Sequence, residues 1–380
     1  MREVDGDRWV AMDKEGNDMK KILVITNHSY MLWRFRRELI QELMKESEMV
    51  ISTPFVGHEE DFAAMGCRMI ETPVDRRGIN PATDFQLYKN YVKILKTEQP
   101  DLVITYSIKP NVYAGYACRR LHIPYCVNVQ GLGTAFQKAG LAQIVTAMYK
   151  IALKKSRTVF FENERNAKLF LDKKIVTEPQ ICILHGAGIN LEHHAYQPYP
   201  KNDAIHFLYL GRIMKEKGMD ELFGAIRKLY ETSDQKIVLD LVGFFEDAYK
   251  EATEKLVEDG IAVFHGFQED PRPYYAKADC IVLPSYHEGM SNVLLEAAAT
   301  GRPLITSDIP GCREAVDNEK TGFLCEVKNE EDLFQKMEKF VKLTRQEREE
   351  MGRCGRRKME REFDKKDVVA KTVEALEKGL

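Results

Sequence analysis

Short apolar runs alternate with longer amphipathic stretches over most of the chain. The run Lys21–Asn27 (KILVITN) predicts a first buried parallel strand, and helical spacing of apolar residues follows it from Phe35 onward. Further strands are predicted at Met49–Ser52, Cys67–Glu71, Leu102–Tyr106, Tyr125–Val129, Thr158–Phe161 and Ile181–Leu184. Helices are predicted between them, most clearly at Phe85–Leu95 and Val112–Leu121. This alternation predicts an α/β fold with a doubly wound parallel sheet.

The same pattern restarts after a linker-like segment, Asn190–Asp203, which contains two prolines and few apolar residues. New strands are predicted at His206–Leu210, Ile237–Val242, Ala262–His265, Cys280–Leu283 and Pro303–Thr306. Gly218–Tyr230 and Asn292–Thr300 are predicted helices, and Glu330–Leu380 reads as three amphipathic helices. We therefore expect a disordered extension over residues 1–18, a first domain over 19–195 and a second domain over 196–362. Two such domains are expected to face each other across a cleft at the carboxyl ends of their strands.

Length and charge change this picture little. At 380 residues the chain is long for one core, which also favours two domains. The net charge of −3 gives no nucleic-acid signature. Residues 20–200 carry 24 Lys and Arg against 17 Asp and Glu, whereas residues 201–380 carry 29 against 36. A basic first half fits an anionic partner, and it fits chance variation across solvated surfaces equally well.

Cysteine usage and hydropathy exclude several other classes. The eight cysteines are scattered without a CxxC pair, which is typical of a reduced, cytosolic protein and argues against a structural zinc site. No apolar run reaches the roughly 18 residues that a membrane-spanning helix needs. Residues 1–18 lack the basic start and apolar centre of a signal peptide.

The stretch LPSYHEGMSNVLLEAAATGR is the most informative part of the sequence. It runs from the end of a predicted strand through a Gly-containing loop to a predicted helix with Ser291 at its N-cap. Free backbone amides at a helix N-terminus bind phosphate. Glu288 in the loop and Glu296 on the helix can accept hydrogen bonds from sugar hydroxyls. The stretch therefore predicts a pocket for a phosphorylated sugar or a nucleotide.

Two cations occupy a similar position after another strand. Gly211-Arg212 directly follows His206–Leu210, and Lys217 stands where the next predicted helix opens. At a strand end and a helix N-terminus they are placed to bind a diphosphate and to stabilise its charge as it leaves. Taken alone, they also fit solvated charges at a helix start. The combination with Glu288 and Glu296 favours the binding site.

GRIMKEKG (Gly211–Gly218) and LPSYHEGMSNVLLEAAATGRPLITSDIPGCREAV (Leu283–Val316) strongly resemble retaining glycosyltransferases of the GT-B fold, glycosyltransferase family 4. Two glutamates with seven residues between them are that family's signature. The segments KILVITNHSYMLWRFRREL, YSIKPNVYAGYACR and VNVQGLGTAF resemble the branch that builds bacterial capsule, O-antigen or lipid-linked oligosaccharides from UDP-sugars. The resemblance covers nearly everything after Met19.

This resemblance implies two Rossmann-like domains, with residues 363–380 forming a helix that packs back on the first. It implies that Arg212 and Lys217 bind the donor diphosphate, and that Glu288 contacts the donor sugar. Glu296 would hold the ribose. The implied donor-binding set is Gly211, Arg212, Lys217, Glu288, Gly289, Met290, Ser291, Asn292, Val293 and Glu296, with Arg212, Lys217 and Glu288 as its catalytic members.

The acceptor side is less well marked. Many family members carry a histidine near the donor sugar in the loop after the fifth strand, where this chain has Asn128-Val129-Gln130-Gly131-Leu132-Gly133. Gln130 or backbone groups would replace the histidine, and a plain tight turn fits the glycines equally well. The residues assigned to the acceptor side are Asn27, Phe35, Arg36, Lys109, Gln130, Gly131 and Gly133. Arg36 and Lys109 also fit ordinary surface cations.

The family resemblance also sets expectations for the reaction and its partners. It implies transfer from a UDP-sugar to a polyprenyl-diphosphate-linked saccharide, with retention, at the inner face of the cell membrane. No metal or other cofactor is expected, and the predicted pocket loops contain no DxD. A front-side mechanism is favoured, because no carboxylate nucleophile stands near Gly131–Gly133.

Two matters stay open on the residues alone. Leu141–Arg157 has apolar residues at helical spacing and a basic end, which fits a helix on an anionic membrane surface and a helix buried against the sheet. The rival functions are a UDP-sugar 2-epimerase or sugar phosphorylase on the same architecture, and a non-catalytic scaffold that binds nucleotide-sugar. An epimerase would need acid–base carboxylates for proton removal, and a phosphorylase would need a lysine placed for pyridoxal phosphate; neither pattern is clear in the sequence. The non-catalytic scaffold is disfavoured by the intact set of Arg212, Lys217, Glu288 and Glu296.

Overall fold

A computed structural model gives the fold. It describes residues 2–5, 8–11, 19–75, 80–131 and 139–378. The chain divides into two compact units, unit 1 (Met1–Ala187 with Val368–Leu380) and unit 2 (Gly188–Asp367). The boundary between the units lies after Ala187, before the expected boundary after residue 195, because Ile189 belongs to unit 2. Its amide donates to the Phe363 carbonyl at 2.7 Å, and its carbonyl accepts from the Lys365 amide at 3.0 Å.

The N-terminal segment differs from the expectation. The strands β1 (Arg2–Asp5) and β2 (Arg8–Ala11) pair antiparallel within the stretch expected to be disordered. Residues 12–18 lie outside the described residues.

Within the described residues, unit 1 contains a seven-stranded parallel sheet in the order β5-β4-β3-β6-β7-β8-β9. Its strands are β3 (Lys20–Ile25), β4 (Ser47–Thr53), β5 (Arg68–Glu71), β6 (Leu102–Tyr106), β7 (Tyr125–Val129), β8 (Val159–Phe161) and β9 (Ile181–Ile183). Its helices include α1 (Ser29–Leu43), α2 (Glu59–Ala64), α3 (Pro81–Glu98), α4 (Gly115–Leu121), α5 (Ala139–Ala152) and α6 (Glu164–Asp172). A π-helical turn, Pro110–Ala114, leads into α4 where a continuous helix was predicted. Strands such as β6 and β7 are buried throughout, as continuous apolar runs predict.

Helices cover both faces of this sheet. On one face, α3, α4, α5 and α6 contribute residues such as Leu87, Val145 and Phe170 to a single core. On the other face, α1 and α2 contribute Leu39 and Phe62 to a second core. The doubly wound arrangement that the alternating pattern predicts is therefore present in unit 1.

Unit 2 repeats this plan with a six-stranded parallel sheet over its described residues, in the order β12-β11-β10-β13-β14-β15. Its strands are β10 (Ile205–Leu210), β11 (Ile237–Val242), β12 (Ala262–Gly266), β13 (Cys280–Leu283), β14 (Leu304–Ser307) and β15 (Gly322–Cys325). Its helices include α7 (Met219–Thr232), α8 (Lys250–Glu258), α9 (Arg272–Lys277), α10 (Asn292–Ala299), α11 (Glu330–Lys342) and α12 (Arg345–Glu362). The last helix, α13 (Lys365–Glu377), begins in unit 2 and continues into unit 1. The three predicted C-terminal helices are present as α11, α12 and α13, whereas β15 was not predicted.

The end of the chain returns to unit 1. Val368 and Leu376 of α13 belong to the same core as α1 and α2. Among the described residues, no helix combines the length and the apolar character that crossing a bilayer requires.

A fully buried arginine, Arg302, fastens several segments of unit 2. Its guanidinium donates to the backbone carbonyls of Tyr275 and Ala276 at 2.8 and 3.0 Å, at the end of α9. It also donates to the carbonyls of Gln197 and Pro198, at 3.2 and 2.9 Å, in the segment predicted as a linker. Burial lowers the pKa of Arg302. Its charge is stabilised by carbonyl dipoles, and each carbonyl in turn needs this donor.

We expect Arg302→Met to lower the free energy of unfolding by about 3 kcal/mol or more, because several buried carbonyls lose their donor at once. Urea unfolding followed by circular dichroism measures the loss. Arg345→Met is the matched control, since exposed Arg345 donates to the carbonyls of Tyr199 and Pro200 in the same segment. The control should cost less than about 1 kcal/mol, and equal losses from both variants would contradict the special role of burial.

Candidate functional site

Two loops meet at the carboxyl edge of the unit 2 sheet. The chain places β11 and β12 on one side of β10, and β13, β14 and β15 on the other. In open α/β sheets, ligands bind in the crevice at such a reversal of strand order. The loop after β10 carries Arg212 and Lys217, and the loop after β13 carries Glu288. The structure therefore brings these two sequence motifs to neighbouring strand ends.

Backbone contacts hold the two loops together. The Tyr286 amide donates to the Glu216 carbonyl at 2.9 Å. Gly218 has a φ of +73°, and a Cβ added to it would lie 2.1 Å from the Pro284 carbonyl oxygen. Only glycine permits this approach, because any side chain would clash with backbone and also require a strained φ. The position of Lys217 relative to the second loop is fixed by this contact.

Lys217 and Glu288 form the central ion pair of the site. The Lys217 ammonium lies 2.5 Å from a Glu288 carboxylate oxygen, with the two side chains only 16 % and 14 % exposed. The Ser285 hydroxyl donates to the same oxygen at 2.9 Å. The sequence predicted Lys217 and Glu288 for one pocket, and the structure pairs them. Ser285 was missed, because a serine in a loop carries no distinguishing sequence signal.

Arg212 has a different partner. Its guanidinium contacts the Glu246 carboxylate at 2.6 Å. The Tyr209 hydroxyl donates to the Arg212 carbonyl at 2.5 Å and holds the backbone there. Burial raises the pKa of Tyr209, and the Glu288 carboxylate raises it further, so this phenol remains a donor. Glu246 follows β11, and its separation in sequence from the motif hid it from sequence analysis.

The N-terminus of α10 differs from the prediction in one respect. Ser291 occupies the N-cap position with an extended backbone, but its side chain makes no capping hydrogen bond within the described part of the chain. Its amide donates to the Gly311 carbonyl at 2.8 Å. In this conformation the Ser291 amide is therefore not free for a phosphate. The next amides, those of Asn292 and Val293, lie in the first turn of the helix, where backbone amides generally have no partner within the helix itself.

Glu296 lies deeper than Glu288. It is only 4 % exposed, and the hydroxyl of Tyr275 on α9 donates to one of its carboxylate oxygens at 2.9 Å. Gly289 and Met290 complete the loop that precedes α10, and Met290 is part of the hydrophobic core. Tyr275 was not predicted, because the contact between α9 and α10 is created by the tertiary fold and has no local sequence pattern.

Unit 1 corrects one prediction about the acceptor side. Arg36 was assigned to the acceptor side, with an ordinary surface cation as the alternative, but it is buried within α1 and only 5 % exposed. Its guanidinium binds the Glu162 carboxylate at 2.9 Å and the Gly186 carbonyl at 3.4 Å. A buried cation with these partners holds α1 to the segments that follow β8 and β9, so it is not an exposed cation open to an acceptor. Lys109 is largely buried as well, with its ammonium 2.7 Å from the Asp84 carboxylate.

The remaining acceptor-side residues are only partly described. The Asn27 side chain accepts a hydrogen bond from Ser107 at 2.8 Å. Phe35 is half-buried on α1, and Gln130 and Gly131 are half-buried directly after β7. Gly133 lies outside the described residues.

Two family models match the chain. The glycosyl transferase 4-like model matches residues 21–163, within unit 1. The model of glycosyl transferases group 1 matches residues 194–358, within unit 2, and includes the loops described above.

Curated relatives resemble most of the chain. The N,N'-diacetylbacillosaminyl-diphospho-undecaprenol alpha-1,3-N-acetylgalactosaminyltransferase of Campylobacter jejuni is 27 % identical over 328 residues, covering 80 % of this chain and 85 % of the relative. The UDP-Gal:alpha-D-GlcNAc-diphosphoundecaprenol alpha-1,3-galactosyltransferase of Escherichia coli is 25 % identical over 300 residues, covering 73 % and 76 %.

Solved structures share the fold. HepE of Anabaena, solved in complex with UDP, matches with a TM-score of 0.76 at 14 % identity, over 94 % of this chain and 100 % of that one. A glycosyltransferase from Rickettsia africae matches with a TM-score of 0.75 at 19 % identity, over 94 % and 98 %. At these identities the likeness concerns the fold alone, which is the predicted GT-B fold.

We expect Lys217→Met to lower the free energy of unfolding by about 1–2 kcal/mol, because a largely buried carboxylate loses its counter-charge. The double variant Lys217→Met/Glu288→Gln should lose less than the sum of the two single variants. Urea unfolding of all three closes this cycle. Lys215→Met is the control, since that side chain is 68 % exposed. Strictly additive losses would show that the pair contributes nothing to stability.

Proposed function

Because the chain belongs to the glycosyltransferases that combine a glycosyl transferase 4-like domain with a group 1 domain, we propose that it transfers a hexose or an N-acetylhexosamine from a UDP-sugar to a saccharide carried on polyprenyl diphosphate. Both relatives described above are named for acceptors on diphospho-undecaprenol, and one is named for UDP-Gal. A further relative is a capsular polysaccharide glycosyltransferase of Staphylococcus aureus. The product would serve bacterial surface polysaccharide or glycoprotein-glycan synthesis, with the enzyme peripheral on the inner face of the membrane.

The Lys217–Glu288 pair carries this proposal. It stands at the switch point of the unit 2 sheet, beside a helix N-terminus. A donor diphosphate there would take over the Lys217 ammonium and the Arg212 guanidinium from their carboxylates. Glu288 would then be free to accept hydrogen bonds from the donor sugar. Glu296, oriented by Tyr275, would accept from the ribose hydroxyls.

The same residues explain how the leaving group is stabilised. As the sugar–phosphate bond breaks, negative charge grows on the diphosphate. Two cations and the amides at the start of α10 supply positive potential where that charge develops. We therefore propose transfer without a metal ion. The acceptor oxygen bonds to the anomeric carbon on the same face from which the phosphate leaves, and the proton of the acceptor hydroxyl passes to the departing phosphate oxygen. Because attack and departure occur on one face, the anomeric configuration is retained.

We expect one UDP-sugar to raise the melting temperature in the presence of EDTA. A ligand at 100 times its Kd adds about 2.7 kcal/mol to the free energy of unfolding. The melting temperature is measured with a panel of UDP-, GDP- and ADP-sugars and, separately, with UDP. The nucleotide-sugar that raises it identifies the donor. In Glu288→Gln the shift with the UDP-sugar should shrink relative to the shift with UDP, because the carboxylate would contact the ligand only through its sugar. The shift with UDP should persist or grow, because Lys217 loses the carboxylate that competes with the diphosphate. Glu326→Gln, which alters an exposed carboxylate of unit 2, is the control. No shift with any nucleotide would contradict the proposal.

We expect an α-linked product from an α-linked donor. Nuclear magnetic resonance of the purified product measures the coupling of the anomeric proton and so gives the configuration. A β-linked product would rule out the front-side mechanism, while leaving the donor site untouched.

A further inference from the structure

The helical layer formed by α3, α4 and α5 has an unusual outer surface. Its inner side packs on the sheet of unit 1 through residues such as Leu87 and Tyr149. An ordinary surface helix has one apolar stripe, and that stripe faces the core. On α5 a second apolar stripe faces outward, where Ile144 and Ile151 are 59 % and 51 % exposed and Ala147 between them is exposed too.

Aromatic side chains continue this surface across the neighbouring helices. Phe85 on α3 is 57 % exposed and Tyr116 on α4 is 38 % exposed. The Tyr88 ring lies between them, with its centroid 6.3 Å from that of Phe85 and 5.6 Å from that of Tyr116. Arg119 of α4 donates to the Ile151 carbonyl at 2.7 Å, which joins this aromatic row to α5. We call the outer faces of these three helices, together with residues 153–157 that follow α5, the α3–α5 surface.

The charges on the α3–α5 surface have one sign. Over the described residues 81–98, 115–121 and 139–157, every exposed charged side chain is a cation. The two acids in these stretches, Asp84 and Glu98, are buried. The exposed cations are Lys89, Lys93, Lys96, Arg120, Lys150, Lys154, Lys155 and Arg157.

The opposite face of unit 1 shows that this pattern is local. There α2 exposes Glu60 and Asp61, and α13 exposes Glu374 and Glu377. A general excess of lysine in unit 1 would spread over both faces. The exposed charges of α6 and α13 have both signs, so within the described helices of unit 1 the cation-only pattern belongs to α3, α4 and α5, where it coincides with exposed isoleucines and aromatic rings.

We propose that the α3–α5 surface docks on an anionic lipid bilayer. Exposed isoleucines and aromatic rings enter the boundary between headgroups and acyl chains, and the surrounding cations bind acidic headgroups. A soluble polyanion would use the cations but not the apolar side chains, so their coincidence selects a bilayer. The docking surface is inferred from the structure alone, and it rests on the proposed function only for its role, which is to bring the enzyme to a lipid-linked acceptor.

The test is co-flotation of the full chain with vesicles. We expect capture by vesicles of equal parts phosphatidylcholine and phosphatidylglycerol, and little capture by phosphatidylcholine alone. Each lysine near an anionic surface contributes roughly a fivefold gain in partitioning. The variant Lys150→Glu/Lys154→Glu/Lys155→Glu should therefore lower the partition coefficient by about 100-fold or more.

Two further variants make the result specific. The variant Lys201→Glu/Lys320→Glu/Lys371→Glu alters the net charge by the same amount as the first triple variant, but at exposed lysines outside the α3–α5 surface. It should therefore retain binding. Ile144→Ser/Ile151→Ser, which keeps every charge, should lower partitioning by about tenfold.

Three outcomes would overturn the proposal. The wild-type chain could fail to float with the anionic vesicles. The two triple variants could lose binding equally, which would indicate a diffuse charge effect. The isoleucine variant could bind as well as wild type, which would indicate a polyanion site without bilayer contact.

A nucleotide measurement keeps this inference separate from the proposed function. The lysine variant should retain the full melting shift with UDP, because none of its substitutions lies in unit 2. A chain that floats but shows no shift with any nucleotide would contradict the proposed function alone. A chain that binds UDP but does not float would contradict the docking surface alone.

Discussion

The close approach of Gly218 to the Pro284 carbonyl is the constraint on which the site depends. It lets the loops after β10 and β13 touch at the backbone level, so that the Lys217 ammonium reaches Glu288. A side chain at residue 218 would push these loops apart. The ion pair, the loop that precedes α10 and the orientation of Glu288 all follow from this contact. The reversal of strand order places it at the edge of the sheet where ligands bind.

The free site neutralises its own cations. Lys217 is paired with Glu288, and Arg212 is paired with Glu246. Two adjacent unpaired cations would repel each other and destabilise the folded state. Under the proposed function, a donor diphosphate would therefore compete with carboxylates for both. This competition would lower the affinity for the diphosphate, but it would couple donor binding to the release of Glu288, which could then contact the sugar.

The sequence predicted the parts of the fold and site that depend on local patterns. Buried parallel strands are continuous apolar runs, so most strands of both sheets were predicted. Lys217 and Glu288 were placed together because each follows a predicted strand within a recognisable motif. Glu246 and Tyr275 were missed, because each acts through a contact that only the tertiary fold creates. The burial of Arg36 was not predicted for the same reason, since its partner Glu162 lies far away in the sequence.

The two interpretations of α5 that the sequence left open are not exclusive. A helix with one apolar stripe can satisfy either the sheet or a membrane, but α5 carries two. Val145 and Tyr149 face the core of unit 1, while Ile144 and Ile151 face outward. Periodicity alone could not separate these stripes, because a helix that is apolar on both sides gives a weak periodic signal. The neighbouring charges separate them, since cations gather only on the outward side. Burial against the sheet holds the helix in place, and that rigid support is what allows its outer side to present a fixed surface to a bilayer.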